Sequence, residues 1–229
     1  MPMKTVDRAV LNTLGEYDSA TVQNAAILVR GYVPADEDYS GPELRCFLPE
    51  FGTLVGYAVT AEATPLHEHP AAGDWDEYYD TIAYANAPVM GVIVDADSPP
   101  GRGAIMGDGM AYRHVALGAV GVVTGGSVRD VAGIRSARCG LWGTGQVPGH
   151  GPFNMLRCNV PVWAGGLRIN PGDIIVGDAD GITRVPVEIA SDVATMCREV
   201  RLKESEMHRY FSAPGFTVKD YEAWKKRGA

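Results

Sequence analysis

Hydrophobic positions recur along this chain with two periods, and the switches between them mark out its elements. Near the start, Val6, Val10, Leu11 and Leu14 keep helical spacing until Gly15 interrupts it. Asp18-Ser19 then offers an N-cap for a second helix running through Ala26, because a short polar side chain there accepts a first-turn N–H that has no partner inside the helix. Over residues 52–60 the pattern changes to that of a strand, Leu54-Val55-Gly56-Tyr57-Ala58-Val59. Helical spacing returns over 76–85. Pro88 opens a short apolar strand that ends at Asp95.

A β/α unit follows. Gly107-Asp108-Gly109 leads into a predicted helix over 110–117, Gly118 ends it, and the valine-rich residues 119–124 form a strand. Gly125-Gly126-Ser127 turns the chain into a short predicted helix that carries Arg129 and Asp130. Residues 140–159 are rich in Gly and Pro with little periodicity and read as a loop. Short strands are expected at 160–164, 167–169, 174–176 and 182–185. Turns at Gly165-Gly166, Pro171-Gly172 and Asp178-Ala179-Asp180-Gly181 join them. The cleanest periodicity is C-terminal, over about 188–211, where Ile189, Val193, Met196, Val200 and Met207 fall in one stripe at about 100° per residue. No repeat or low-complexity linker divides the chain. One domain over 1–229 is expected, with N-terminal helices at about 5–30, a core at about 50–187, the C-terminal helix and a tail to 229.

Composition narrows the function classes. Hydrophobic residues make up 46% and charged residues 21% of 229, ordinary for a chain that can bury a full core. A net charge of -8 and a pI near 5.1 oppose long contact with a phosphate backbone, so no nucleic acid is expected as a ligand. The run Lys225-Lys226-Arg227 is a solvated terminus. Cys46, Cys139, Cys158 and Cys197 are scattered without a CxxC pair, as in a cytoplasmic protein with reduced, mostly buried thiols. The N-terminus reaches Asp7-Arg8 before any long apolar run, so no signal peptide is expected. The most apolar stretch, 88–94, is too short to span a bilayer, and no membrane association is expected.

Two segments hold the residue types for chemistry. Asp108 lies in a Gly-flanked turn at a predicted helix start, where exposed N–H groups and the helix dipole favour an anion. Arg129 and Asp130 follow a strand behind a Gly-Gly turn that lets backbone approach a ligand. Asp130 is a hard oxygen donor suited to Mg²⁺ or Mn²⁺, and Arg129 can grip a carboxylate with two bonds. Residue types alone leave a plainer alternative open, with Asp108 capping its helix and Arg129–Asp130 a surface pair.

Gly107-Asp108, twenty residues and then Arg129-Asp130, with Gly118-Ala119-Val120-Gly121-Val122-Val123-Thr124-Gly125-Gly126-Ser127-Val128 between, resembles the signature of the RraA-like family. That family includes regulator of ribonuclease activity A and the 4-hydroxy-4-methyl-2-oxoglutarate (HMG/CHA) aldolases. Val160-Pro161-Val162-Trp163-Ala164-Gly165-Gly166-Leu167-Arg168-Ile169-Asn170-Pro171-Gly172-Asp173, followed by Asp178-Ala179-Asp180-Gly181 and Val185-Pro186, is a second matching block. The resemblance implies an α/β fold, a swivelling β/β/α domain with a central sheet or barrel flanked by helices, assembled as a homotrimer or homohexamer.

It also implies roles. Asp130 is the direct ligand of Mg²⁺ or Mn²⁺, Arg129 holds the carboxylate of a pyruvyl group, and Asp108 positions a metal-bound water. Backbone at Gly107, Gly109 and Met110 completes the carboxylate site. Members that act only as regulators can lack the acid after the arginine, so Asp130 favours catalysis. The aldolases also use a Glu from a neighbouring subunit, best matched by Glu204. At about 100° per residue Glu204 projects near Val193 and Val200, at the edge of the apolar stripe; a partly exposed stripe-edge Glu stays open as the alternative. The chain departs from the pattern at Gly133, where catalytic members often carry a carboxylate, and over 140–159, so the substrate's distal end does not carry over.

Other candidates are weaker. His67-Glu68-His69 lacks a nearby third ligand, and His150 either lines the pocket or marks a turn. Asp178-Ala179-Asp180-Gly181 departs from calcium-loop spacing and suits a hairpin turn. Gly143-Thr144-Gly145 has no strand-turn-helix context for a nucleotide, and no glycine-rich cofactor loop suggests a methyltransferase. Lys4, Lys203, Lys219, Lys225 and Lys226 all lie outside the site blocks, which argues against a Schiff-base aldolase. The expected function is a metal-dependent lyase that cleaves a small 2-oxo acid through a pyruvate enolate, by retro-aldol cleavage of a 4-hydroxy-2-oxo acid or decarboxylation of oxaloacetate. The rivals are a non-catalytic regulator of a ribonuclease or helicase, and metal-enolate chemistry on a different oxo acid.

Overall fold

A computed structural model describes residues 4–66, 69–85 and 87–226. Helices α1 (Arg8–Leu14) and α2 (Ser19–Arg30) come first, followed by β1 (Arg45–Cys46), β2 (Leu54–Thr64), α3 (Trp75–Ala83) and β3 (Val89–Asp95). The middle of the chain forms β4 (Ala104–Met106), α4 (Asp108–Ala116), β5 (Ala119–Thr124), β6 (Ser127–Val128), α5 (Val131–Ser136), β7 (Gly140–Gly143), β8 (Gly145–Gln146) and β9 (Asn154–Cys158). Then come β10 (Val162–Ala164), β11 (Leu167–Ile169), β12 (Ile174–Asp178), β13 (Gly181–Val185), α6 (Ala190–Phe211) and α7 (Val218–Lys225).

The main sheet runs β1-β7-β5-β3-β2-β12-β13, with β9 joined to β2. Its centre, β7-β5-β3-β2, is parallel, and the outer pairings are antiparallel. Parallel strands covered on both faces read as unbroken apolar runs, and Val89 through Val94 is buried throughout. The long β2 serves two neighbours on its second edge, β12 over Leu54–Tyr57 and β9 over Ala61–Thr64. The sheet curls almost into a barrel. The indole N–H of Trp142 on β7 donates across it to the carbonyl of Asp178 on β12 (2.9 Å). Gly177 permits that closure, because a Cβ there would stand 2.7 Å from the indole ring.

One apolar cluster fills the space between the sheet and α3–α5 (Tyr78, Ile82, Ile93, Met106, Ile134). A second packs α1, α2 and α6 against the other face through Leu14, Val22, Val185, Val193 and Cys197. A third lies under the β10–β11 hairpin. Thus the mixed α/β architecture, flanking helices and long C-terminal helix are as expected. So is the Asp18 cap, whose carboxylate accepts the Thr21 N–H, and so is the β12–β13 hairpin turn. All four cysteines are free thiols, two buried and two half-buried. No helix of the described residues is long and apolar enough to cross a membrane.

Three expectations need correction. Arg129 and Asp130 are not on a helix: Ser127–Val128 is a strand, and α5 starts only at Val131. Residues 140–159 are not one loop, since they hold β7, β8 and β9. The tail carries a further helix, α7, opened by a capping box between Thr217 and Asp220. His67 and Glu68 of the candidate metal pair lie outside the described residues.

Beneath α4 the fold buries a polar pair. His114 Nδ1 lies 2.7 Å from the Met110 carbonyl and Nε2 lies 2.9 Å from the Tyr78 hydroxyl. A carbonyl only accepts, so Nδ1 carries the proton and the Tyr78 hydroxyl donates to Nε2. Gly91 on β3 makes the room, because a Cβ there would meet the Tyr78 oxygen at 2.6 Å. Burial pushes the His114 pKa down to about 4 from 6.5. Between those values the unfolded chain takes up a proton that the folded chain does not. Stability is therefore complete above pH 6.5 and falls as the pH drops toward 4, by about 3 kcal/mol for the full shift. Urea titrations at pH 7 and pH 4.5 should show a larger acid loss in the wild type than in His114→Asn; equal losses would remove His114 from this account.

Candidate functional site

The site is assembled by a small parallel sheet, β4-β6-β8. Ala104 pairs with Ser127 and Met106 with Val128, and the Arg129 N–H donates to the Met106 carbonyl (2.8 Å). Parallel neighbours end on the same side, and ligand sites in α/β folds gather at such carboxyl ends. Here both strands run at once into helix N-termini, Gly107-Asp108 into α4 and Arg129-Asp130 into α5. That register joins segments twenty residues apart.

Asp130 is the N-cap of α5, yet its side chain accepts no first-turn N–H. Its backbone is left-handed (φ 56°, ψ 36°), a conformation that costs a non-glycine residue about 1 kcal/mol and that Asp tolerates better than most. The carboxylate lies 3.2 Å from Arg129 Nε. Both side chains are over a third exposed (37% and 44%), so the pair adds at most about 1 kcal/mol of stability. Gly107 lets the pair lie across the strand end, since a Cβ there would meet Asp130 Oδ2 at 3.1 Å and Arg129 Nε at 3.2 Å. Stability does not explain this arrangement.

Asp108 is the exposed first residue of α4, with Gly107 as an N-cap that offers no side chain. Its Oδ1 accepts the Gly109 N–H (2.7 Å), so the carboxylate occupies one of the anion-binding donors of its own helix. Across from it stands Gly133, where a Cβ would fall 2.6 Å from both Cβ and Oδ2 of Asp108. In this chain Asp108 fills the space that a side chain at 133 would take.

A cleft of about 380 Å³ opens beside these groups, lined by Gly107, Asp108, Gly109, Met110 and Arg129 and closed by His150 and Phe153. His150 is therefore on the pocket wall. Phe153 has no signal in the sequence, because it sits in an aperiodic Gly/Pro-rich stretch. Glu204, half-buried on α6 beyond Val200, is not among the residues lining the cleft of its own chain. A larger concavity of about 890 Å³ lies elsewhere. In it Lys4 pairs with Glu188 (2.8 Å) and Asp173 accepts from Asn170. The smaller cleft is the one lined by the residues of the Gly107-Asp108 and Arg129-Asp130 segments: the Arg129 guanidinium, the Asp108 carboxylate and the start of α4.

Among the described residues no three His, Cys, Asp or Glu side chains converge as a ready-made metal cage. Asp130 with Asp108 nearby is the donor set of an ion that keeps most of its waters, the habit of Mg²⁺. The residues fit such an ion and not a closed zinc site.

A family model described as RraA-like, Aldolase/RraA, matches residues 32–184. A protein of Halalkalibacterium halodurans, provisionally named 4-hydroxy-4-methyl-2-oxoglutarate aldolase, is 28% identical over 139 residues. That match covers 60% of this chain and 66% of the relative, just under two thirds of its length. A solved structure of an uncharacterized protein from Pseudomonas syringae pv. tomato superposes with a TM-score of 0.75 at 22% identity, covering 97% of both chains. Streptomyces coelicolor RraAS2, described as an unusual member of the RNase ES inhibitor RraA protein family, gives 0.73 at 24% identity over 90% of this chain and 99% of that one. At such identities these structures establish the fold.

The contact between Asp108 and Gly133 is open to test. Alanine in place of a helical glycine ordinarily stabilises by up to about 1 kcal/mol. Gly133→Ala should instead destabilise the wild type, and should stabilise a chain that already carries Asp108→Gly. A double-mutant cycle by urea unfolding should give a coupling of about 1 kcal/mol or more; additive effects would mean the two residues do not press on each other.

Proposed function

The chain belongs to the RraA-like (Aldolase/RraA) family, and from that premise we propose that it is a divalent-metal-dependent lyase that breaks a C–C bond of a small 2-oxo acid. The observation that carries this reading is Asp130, held in a left-handed conformation as a helix cap whose side chain bonds no first-turn N–H, beside Arg129 and the N-terminus of α4. A half-exposed carboxylate on a left-handed backbone, with no first-turn N–H to cap, is a group placed for a ligand.

In this reading Arg129 grips the substrate carboxylate with its planar fork. The N–H groups of Gly109 and Met110 complete that grip, and bare Gly107 lets the ligand close on the backbone. Gly109's donor is held by Asp108 Oδ1, so an incoming carboxylate displaces Asp108 from it. The released Asp108 turns into the cleft and orients the water that takes the hydroxyl proton of an aldol substrate. Mg²⁺ or Mn²⁺ on Asp130 supplies electrophilic stabilisation of the negative charge that develops as the bond breaks. No lysine lines the cleft, which leaves no amine there for a Schiff base. Oxaloacetate loses CO₂ without a base, so decarboxylation depends on Asp108 less than aldol cleavage does.

The alternative, a regulator that binds a ribonuclease, follows from the likeness to Streptomyces coelicolor RraAS2. It rests on fold alone and gives the Asp130 arrangement no task.

Glu204, absent from the cleft of its own chain, enters the proposal as a residue supplied by a neighbouring subunit of a trimer or hexamer. Asp130→Asn should weaken Mn²⁺ binding, followed by electron paramagnetic resonance, and lower turnover by about tenfold or more. Glu204→Gln should be nearly inactive with Mn²⁺ affinity close to wild type. Mixed oligomers of the two variants, after confirmed subunit exchange, should regain part of the activity. A monomer by sedimentation, or exchange without recovery, would remove Glu204 from the site. Unchanged metal affinity in Asp130→Asn would remove Asp130.

A further inference from the structure

The cleft has two ends of different chemistry. One end holds Arg129, Asp108 and the start of α4; the other is a wall made by His150 and Phe153. The segment that carries this wall is tied down along its length. Val147 N–H donates to the Val128 carbonyl (3.0 Å), Ala104 N–H to the Gly149 carbonyl (2.9 Å) and Gly151 N–H to the Pro65 carbonyl (2.7 Å). His150 is thus flanked on both sides by anchored backbone, and its own Nδ1 lies 2.6 Å from the Gly151 carbonyl. Phe153 stacks on Trp75 at 5.0 Å and 24°, and Trp75 is held edge-on by Tyr78 at 5.8 Å. The wall is a pre-set aromatic face with few rotamers left to lose on binding.

Charge at this wall is as telling as its shape. Among the described residues lining the cleft, Arg129 is the one guanidinium or ammonium and Asp108 is the one carboxylate. In the reading above, which this inference rests on, Arg129 is taken by the carboxylate next to the 2-oxo group. Glu204, the residue that reading brings from a neighbouring subunit, is itself an acid. A second carboxylate at the far end of the substrate would lie against Phe153 with no cation to offset its lost hydration. An alkyl or aryl group there would bury apolar surface against a fixed ring.

We infer that, among 2-oxo acids long enough to reach it, the wall formed by Phe153 and His150 selects those with an uncharged, apolar or aromatic distal end over those with a distal carboxylate. Phe153 sets the preference by contact, and His150 closes the cleft beside it.

Calorimetric binding to the Mg²⁺-loaded protein tests this with compounds that cannot be cleaved: pyruvate, 2-oxopentanoate, 2-oxo-4-phenylbutanoate and 2-oxoglutarate. 2-Oxopentanoate matches the chain length of 2-oxoglutarate but lacks its distal carboxylate. The expected result is that 2-oxopentanoate and 2-oxo-4-phenylbutanoate bind about tenfold or more tightly than 2-oxoglutarate. Phe153→Ala should bring the three within about threefold of one another. His150→Arg, at an exposed position, should raise the affinity for 2-oxoglutarate alone. Pyruvate separates failure of the wall from failure of the site. If pyruvate binds and 2-oxoglutarate binds as well as 2-oxopentanoate or better, the wall does not select and only this inference falls. If pyruvate binds and none of the longer acids does, the inference also falls. If no 2-oxo acid binds, pyruvate included, the functional reading falls with it.

Discussion

The parallel register of β4 and β6 ends both strands at one level and starts two helices side by side. The rest of the site depends on that short pairing. It brings the start of α4 beside the Arg129–Asp130 pair, with Gly107 leaving room for both side chains. Two-residue strands have little stability of their own. These are held because β8 pairs on the far side of β6 and because Met106 and Val128 are fully buried against α3–α5.

That support continues into the core. The carbonyl of Met110, a residue of the cleft lining, is bonded to His114, and His114 is bonded to Tyr78, which packs edge-on against Trp75, the ring on which Phe153 stacks. The aromatic wall and the helix that offers its N-terminus are therefore parts of one packed block. Buried polar pairs with every group satisfied fix position more than they add stability. On the opposite side, the Trp142 indole ties β7 to β12 across the nearly closed sheet.

Periodicity made the large elements legible in the sequence. The strand at 119–124 and the helix ending at Phe211 have one buried face or a wholly apolar run, and their patterns survive reading in one dimension. Two-residue strands such as β6 have no period, so the sequence placed Arg129 and Asp130 on a helix. Over 140–159 glycine was misleading: Gly140 and Gly143 sit inside β7 because Leu54 and Val128 fill the space of their side chains. The tail helix α7 was not read from the sequence: its capping box of Thr217 and Asp220 has Asp in place of the usual Glu. At the site, the nearness of Asp108 to Asp130 came from the motif alone, since no local property encodes a pairing across twenty residues. Phe153 became visible only once β8 and β9 placed its segment over the cleft.

Everything proposed for this cleft depends on whether it acts on a 2-oxo acid with a bound metal. The direct measurement is pyruvate released from oxaloacetate and from a set of 4-hydroxy-2-oxo acids by purified, metal-stripped protein, before and after addition of Mg²⁺ or Mn²⁺. The expected result is turnover that appears with the ion and is removed again by a chelator. No pyruvate from any of these acids, or the same turnover with and without metal, would contradict it.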